Sequence, residues 1–536
     1  MGTHVVVNQP RPLIDYDVFG CDPTLVDAVQ RYGGAASLPR LHTLGQLAGS
    51  AQASQWATQA NTFPPMLRTH DRHGHRIDEV EFHPAWHALL DIAISNGLHA
   101  APWASVEPAP HVTRAAGFLV WSQAESGHGC PVSMTYAAVP ALRADAELAK
   151  RWEPQLTSSS YDPGLRAPAE KAGLLAGMAM TEKQGGSDLR ANSTRAQRTA
   201  DDTYLLTGHK WFTSAPMNDI FLVLGQAPGG LSCFVVPRVL DDGTHNTFRI
   251  QRLKDKLGNR SNASAEIELE DTIGWRLGDE GRGVATIIEM VAATRLDCAL
   301  GSAALMRRAS VEASWHCSQR RAFGALLVDQ PAMASVLADL SLESEAATLL
   351  TMRVAHTFDV SNEDHEQALR RILLPLAKFW VTKRAASHVG EALECIGGNG
   401  YVEESHMPRL YREAPVNAIW EGSGNVQALD LLRVLERNPA AYDAWRSEIA
   451  GVDGRLAEAL ANVDALVRAP TAVAARELAV RMAVLSQAAL LVQHSPTPVS
   501  DAFCRSRLPV PQATWGMLPQ HVDERAIIAR TAVRQH

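Results

Sequence analysis

A chain of 536 residues lies far beyond the roughly 250 to 300 residues at which a single hydrophobic core stops growing, so two to four domains are expected. Hydrophobic residues make up 46% and charged residues 20%, with a formal net charge of −8. That balance carries no nucleic-acid or membrane signal for the chain as a whole, and any DNA binding must come from a local patch. Seven scattered cysteines with no CxxC pair read as buried or inert thiols in a reducing compartment, not as a disulfide framework. The N-terminal stretch MGTHVVVNQPRPLIDYD lacks a basic segment followed by an apolar run, so it is not a secretory signal. With no apolar stretch near 20 residues either, a soluble cytoplasmic protein is expected.

From about Thr24 to Lys150, alanine and leucine recur at helical spacing, interrupted by the polar loop RTHDRHGHRIDEVEFHPAW. This predicts a helical domain carrying one polar loop. Between Gly177 and Asp271 the pattern changes to short alternating or β-branched runs, YLLTGHKWFTS, DIFLVLGQ, LSCFVVPR and ASAEIELED, divided by Gly, Pro and Asp turns. That is a β domain. Helical periodicity returns after GDEGRG and continues to LDLLRVLERN, which predicts a helical bundle. From about Tyr442 onward an alanine-rich segment holds two helical stretches and a proline-rich break, SPTPVSDAFCRSRLPVPQ, as an appended helical domain.

The stretch MAMTEKQGGSD, Met178 to Asp188, opens the β domain. Glycine permits close backbone approach, so its hydroxyls and N–H groups can face an anionic or heteroaromatic ligand; an ordinary turn is the alternative. It matches neither GxGxxG nor GxxxxGK[ST], so neither a Rossmann site nor a P-loop is indicated. The histidines His70, His73, His75, His83 and His87 do not make a metal site: HPAWH lacks the glutamate of HExxH, and Pro84 suits a first helical turn.

Taken in order, several motifs resemble the acyl-CoA dehydrogenase family. MTEKQGGSD is similar to TEPGAGSD, with Lys183 and Gln184 in place of Pro and Gly. GHKWFTS resembles a K-x-W-I-T strand, LGNRSNASAEIELED a G-x-R-x-S segment, and RRAFGALLVDQ an R-x-x-F-G element one residue short before its Gln. GGNGY and IWEGSGN complete the order. FHPAWH, GMAMTEKQGGSD, RLYREAPVNAIWEGSGN and an extra C-terminal segment resemble the alkylation-response flavoprotein branch more closely still. The resemblance implies a mainly α, α+β fold: an N-terminal helical domain over residues 1–176, a middle β-barrel-like domain over 177–283, a four-helix bundle over 284–440, and an additional helical domain over 441–536.

The same resemblance implies FAD as cofactor. Met178, Thr181, Gly186 and Ser187 are implied to hold the flavin ring and phosphate region. Trp211, with Phe212, stacks beside the isoalloxazine, and Thr213 and Ser214 reach its edge, since a planar ring needs an aromatic face and its heteroatoms need donors. Arg320, Phe323 and Gln330 reach the FAD of a neighbouring subunit, so a homotetramer is implied, with Gly398 and the run Ile419, Trp420, Gly422, Ser423, Gly424 and Asn425 completing the cofactor set. Glu394 stands where most of the family has Gln.

Glu421 matches the family's base for removing the proton α to a thioester, with Trp420 as an apolar surround. Some members carry the base before an arginine on the first bundle helix; here that position is Thr294, before Arg295, and threonine cannot serve. Two readings stand for Glu421: catalytic base, or a polar residue lining a flavin pocket. From Arg437 the chain has eleven Arg, no Lys and nine acids. Arginine suits phosphate recognition, but alternating charge also describes a solvated helix face. The branch resemblance implies double-stranded DNA binding and protection in an alkylation response, with Arg433 and Arg437 as phosphate contacts and only weak, isovaleryl-CoA-like dehydrogenase activity. The alternative is a fully active dehydrogenase of a short or branched acyl-CoA that passes electrons to an electron-transfer flavoprotein.

Overall fold

The computed structural model describes residues 2–201, 203–509 and 522–532. The chain divides into two compact units, one made of Met1–Gln52, Glu107–Ala124 and Arg295–His536, the other of Ala53–Val106 and Glu125–Thr294. Each is built from segments distant in sequence.

The second unit contains all the longer strands: β1 (Met66–His70), β2 (Arg76–Glu81), β3 (Ala176–Ala179), β4 (Arg195–Arg198), β5 (Tyr204–Ser214), β6 (Ile220–Ala227), β7 (Gly230–Pro237), β8 (Phe248–Leu253) and β9 (Ser264–Leu277). Strands β6, β7, β9, β5 and β4 pair in a closed ring, completed by a parallel pairing of β4 with β6, while β3 lies parallel to β6 and β8 antiparallel to β9. Closure leaves no free edge on the ring. Its interior is filled by Tyr204, Leu206, Phe221, Phe234, Phe248 and Ile267, all buried, and each large side chain contributes ~1.5–3 kcal/mol through burial.

The polar stretch after residue 66 is not a loop. Met66–His70 and Arg76–Glu81 pair antiparallel around the turn Asp71–His75. Leu67 and Val80 face each other across the pair and pack against the barrel core. The alternating pattern is that of a half-buried hairpin, masked by its many charged and histidine residues.

The first unit is helical. Gly283–Cys317 continues into it from Arg295, joined by Pro331–Asp359, Asp364–Ile396 and Gly424–Arg437. Pro110–Ser122, buried along nearly its whole length, belongs to the same unit. Asp359 accepts from the first-turn N–H groups of His111 and Val112 at 2.7 and 2.9 Å, supplying partners that a helix start lacks. One turn on, Arg114 and Asp297 form a bidentate pair whose side chains are 1% and 3% exposed.

The additional C-terminal segment is part of this unit. It contains Pro439–Ser447, Leu456–Arg468, Ala475–His494 and Thr497–Arg507. The expected proline-rich break is therefore short: Pro496 caps a helix and Pro498 sits in its first turn, where its missing N–H costs nothing. The remainder of that stretch, from residue 510, lies outside the described residues. Trp380 donates to Gln487 Oε1 at 2.9 Å, tying the added helices to the bundle, and Trp445 to Ser486 Oγ at 2.8 Å, joining two of the added helices to each other. Arg507 reaches Asp339 and Glu343. Near residue 530, Arg530 pairs with Glu345 and donates to Thr24 Oγ1, while Thr531 lies within hydrogen-bond distance of both Ser314 and Ser341.

Removing one partner of a buried pair leaves a charge that the interior cannot solvate. Asp297→Ala is expected to lower unfolding stability by ~3–5 kcal/mol, whereas the joint change Arg114→Met with Asp297→Leu costs much less. Chemical denaturation of the three proteins measures both, and equal losses in the single and joint variants would refute the account.

Candidate functional site

In the barrel unit, β3 delivers Met178, and the chain then makes a tight turn in which Gly185 N–H donates to Glu182 O at 3.0 Å. A Cβ at Gly186 would lie 2.5 Å from Thr181 Oγ1, so only glycine lets the backbone pass that hydroxyl. Thr181 O accepts from Trp211 N–H at 2.9 Å, which puts the loop beside the strand residue expected to stack on a flavin. Gly186 and Ser187 are exposed, Met178, Thr181 and Trp211 half-buried.

Along β5 the side chains alternate. Phe212 is 54% exposed, whereas Thr213 is fully buried, so its hydroxyl does not face open solvent. Ser214 Oγ sits 3.3 Å from Ser264 Oγ. Lys254 Nζ lies 3.4 Å from the centroid of the Trp211 ring and 4.8 Å from that of Phe212, a close cation–π arrangement. Its other partner is Glu266, at 2.5 Å.

The turn is anchored by Glu182, which is fully buried with its partner Lys210. Its two oxygens accept from Lys210 Nζ at 2.8 Å, from Ser193 N–H at 2.6 Å and Oγ at 2.8 Å, and from Thr194 N–H at 3.1 Å and Oγ1 at 2.7 Å. Burial alone would raise this carboxyl; Lys210 and the surrounding donors instead hold it well below the usual carboxylate range. Neither role is visible in the local motif, because the pair is separated by 28 positions in sequence.

The helical unit carries the second set. Ile419 is 66% exposed and Trp420 half-buried, its indole N–H donating to Asn417 Oδ1 at 3.1 Å. Glu421 has φ +60° and Gly422 φ +97°, two consecutive left-handed residues. Three side chains grip this backbone. Arg295 Nε donates to Glu421 O at 3.1 Å, Gln427 Nε2 to Glu421 O at 3.0 Å and Gly422 O at 3.1 Å, and Lys378 Nζ to Gly422 O at 3.1 Å and Asn417 O at 2.6 Å. Burial lowers the Lys378 pKa, with the Glu421 charge among the groups that oppose it. Ser423 and Gly424 then start the Gly424–Arg437 helix, where the end of the Lys383 side chain lies close against the glycine. Asn425 accepts from Arg476 at 2.8 Å, so the added C-terminal helices reach this turn directly.

Thr294 is buried and its hydroxyl donates to the backbone of its own helix, at Met290 O and Val291 O. Arg320, Phe323 and Gln330 cluster around a two-residue hairpin, Arg321–Ala322 with Ala325–Leu326. Arg320 donates to Asn8 O at 2.7 Å, and Gln330 folds back onto Ala322 O at 3.1 Å. Phe323, at φ +51°, is 99% exposed. Gly398 opens a four-residue helical turn and is exposed, as is Glu394 before it.

Arg433 and Arg437 lie four apart on the Gly424–Arg437 helix, both exposed, with Arg433 3.6 Å from Asp430. Other C-terminal arginines are held by acids: Arg446 by Asp464, Arg455 by Asp453 and Asp501, Arg481 by Glu477, Arg507 by Asp339 and Glu343, Arg530 by Glu345. A charge count of the segment cannot register that pairing. The histidines serve local structure: His83 caps the Pro84–Ser95 helix, His87 meets Tyr161 OH at 2.7 Å, and His75 meets Asp71 at 2.9 Å.

Comparison with known proteins agrees with this anatomy. The family described as Adaptive response protein AidB N-terminal domain matches residues 8–163, the acyl-CoA dehydrogenase middle domain residues 177–272, and the acyl-CoA dehydrogenase C-terminal domain residues 281–436. The chain is 44% identical over 511 residues to the putative acyl-CoA dehydrogenase AidB of Escherichia coli K12, covering 94% of each. The crystal structure of Caenorhabditis elegans ACDH-11 in complex with C11-CoA is 27% identical, with a TM-score of 0.86 over 95% of both chains. The apo form of Bd2924 is 30% identical, with a TM-score of 0.85 over 92% of this chain and all of that one. The close glycine cradle at Thr181 and the exposed ring of Phe212 beside the half-buried indole of Trp211 fit a flavin. The chain therefore belongs to the acyl-CoA dehydrogenase family, in its AidB-like branch, as a flavin-dependent oxidoreductase of that type with FAD as its cofactor.

Proposed function

We propose that the chain oxidises a short or branched acyl-CoA, of the isovaleryl-CoA kind, with Glu421 as the base. The observation that supports this best is the backbone at Glu421. A non-glycine residue in the left-handed region costs of order 1–3 kcal/mol and persists only where neighbours over-determine it. Here the grip of Arg295 and Gln427 on its carbonyl does so, which fixes where the carboxylate is presented. An acyl-CoA as ligand is further supported by the C. elegans relative, whose structure holds C11-CoA.

In this reading Glu421 removes the α-proton of the thioester, and its own N–H is one donor to the thioester oxygen as enolate charge develops. Bound FAD would supply the acceptor for the β-hydride, so that loss of one proton to Glu421 and one hydride would leave a double bond between the α and β carbons. Thr181, Gly186, Ser187, Trp211, Phe212 and Ser214 would hold and orient the flavin, whereas Thr213 is fully buried and off the exposed face. The Arg320, Phe323 and Gln330 hairpin serves the FAD of a neighbouring subunit in a homotetramer; the full exposure of Phe323 supports this.

A second activity, binding and protecting double-stranded DNA in an alkylation response, rests on Arg433 and Arg437. They lie one turn apart on one exposed helix face, at a spacing suited to successive phosphates. The paired arginines beyond them limit any wider basic surface.

Anaerobic titration of the yellow protein with isovaleryl-CoA tests the first reading through loss of flavin absorbance. Glu421→Gln is expected to slow that bleaching by about 10²- to 10⁴-fold; an unchanged rate refutes Glu421 as base. For the second, duplex binding is measured against salt. Arg433→Ala and Arg437→Ala are each expected to weaken it and to reduce the logarithmic salt slope by about 1. Full-length protein with no duplex binding at low salt eliminates the DNA reading.

A further inference from the structure

The cofactor turn departs from its family pattern at two positions, and both departures form bonds that the usual residues cannot make. Where the family has proline, Lys183 supplies a backbone N–H. It donates to Nε2 of His209 at 3.0 Å. Where the family has glycine, Gln184 donates through Nε2 to Glu182 Oε2 at 2.8 Å and to Ala191 O at 2.9 Å. Three successive residues of β5 thus engage three successive residues of the turn: His209 with Lys183, Lys210 with Glu182, and Trp211 with Thr181.

Of these three links, that at His209 depends on a proton. With Nε2 accepting, the neutral ring carries its proton on Nδ1; a second proton would set an N–H against the N–H of Lys183. The groups that face the imidazole are Glu182 and Lys183 from the turn, Lys210 from its own strand and Glu268 from β9, to which it is register-paired. Burial pulls the His209 pKa below its ordinary value, with the two glutamates opposing and the two lysines reinforcing.

We propose that His209 is a positioning residue for the cofactor: its Nε2 fixes the Lys183 N–H, and through it the Thr181–Ser187 turn on which FAD rests. The proposal rests on the reading that this turn holds the flavin. Because the neutral ring is the folded form, the link is complete above the unperturbed histidine pKa of about 6.5 and is lost as the pH falls through the lowered folded value. FAD is therefore held more loosely in acid.

The test is the rate of FAD release from full-length holoprotein, followed by the rise in flavin fluorescence between pH 7.5 and pH 5, for wild type, His209→Ala, His209→Gln and Thr181→Ala. One backbone hydrogen bond corresponds to roughly a threefold to tenfold change. Wild type is expected to release FAD faster by about that factor at the acid end. His209→Ala releases it faster at every pH, with a flat profile. His209→Gln, whose amide oxygen accepts the same N–H without titrating, stays slow and flat. If His209→Gln keeps the wild-type pH profile, or His209→Ala matches wild type at pH 7.5, the positioning role is overturned. Thr181→Ala separates the two levels of inference: an unchanged release rate refutes the turn as a flavin site altogether, whereas faster release with insensitive His209 variants refutes only the latch.

Discussion

The Thr181–Ser187 turn depends on one buried carboxylate. Placing Glu182 in the barrel wall would cost several kcal/mol if its charge were left uncompensated. Lys210 opposes that charge, and the hydroxyls and N–H groups of Ser193 and Thr194 occupy the remaining lone pairs. The consequence is geometric as much as energetic. A carboxylate with this many donors cannot shift without breaking several bonds together, so Thr181 on one side and Gln184 on the other inherit a fixed position. The indole of Trp211 is set by the same strand that carries Lys210. In the helical unit Glu421 is held by an opposite logic, in which side chains grip the backbone.

Much of this was legible in the sequence. The switch from helical to alternating periodicity near Gly177 and back after GDEGRG follows directly from which faces are buried, and the ordered short motifs mark the Thr181–Ser187 turn and the Glu421 turn. The Met66–Glu81 hairpin was not legible, because only Leu67 and Val80 of its few apolar residues pack on the barrel core, among charges whose partners lie across the strand pair or on β8. The roles of Glu182 and His209 were hidden for a related reason. Each acts through a residue about thirty positions away, and neither spacing nor composition carries that pairing. Lys183 looked like a blemish in a motif, yet its value lies in a backbone N–H that no side-chain pattern displays.

Charge counting misleads in the C-terminal segment by the same principle. Eleven arginines against nine acids suggest a basic surface, but the formal excess says nothing about where guanidinium groups point. Arg507 and Arg530 are turned inward to acids of the Pro331–Asp359 helix, so they act as structural ties. Arg476, bonded to Asn425, links this added region to the turn that carries Glu421. The segment is thereby part of the scaffold of the helical unit, whatever else its outer face engages.

The interleaving of the two units has a consequence for how the chain is made. The barrel unit is complete once Thr294 has been synthesised, while the helical unit still lacks most of its mass. Its early pieces, including the segment with Asp22 and Thr24 and the helix Pro110–Ser122, must wait for partners encoded much later: Asp297 for Arg114, Arg307 for Asp22, and Arg530 for Thr24. During synthesis at roughly 5–20 residues per second, those residues lack these partners for about ten seconds or more. Emergence order therefore favours the barrel folding first, and makes the early helices the part of the nascent chain most in need of protection from aggregation.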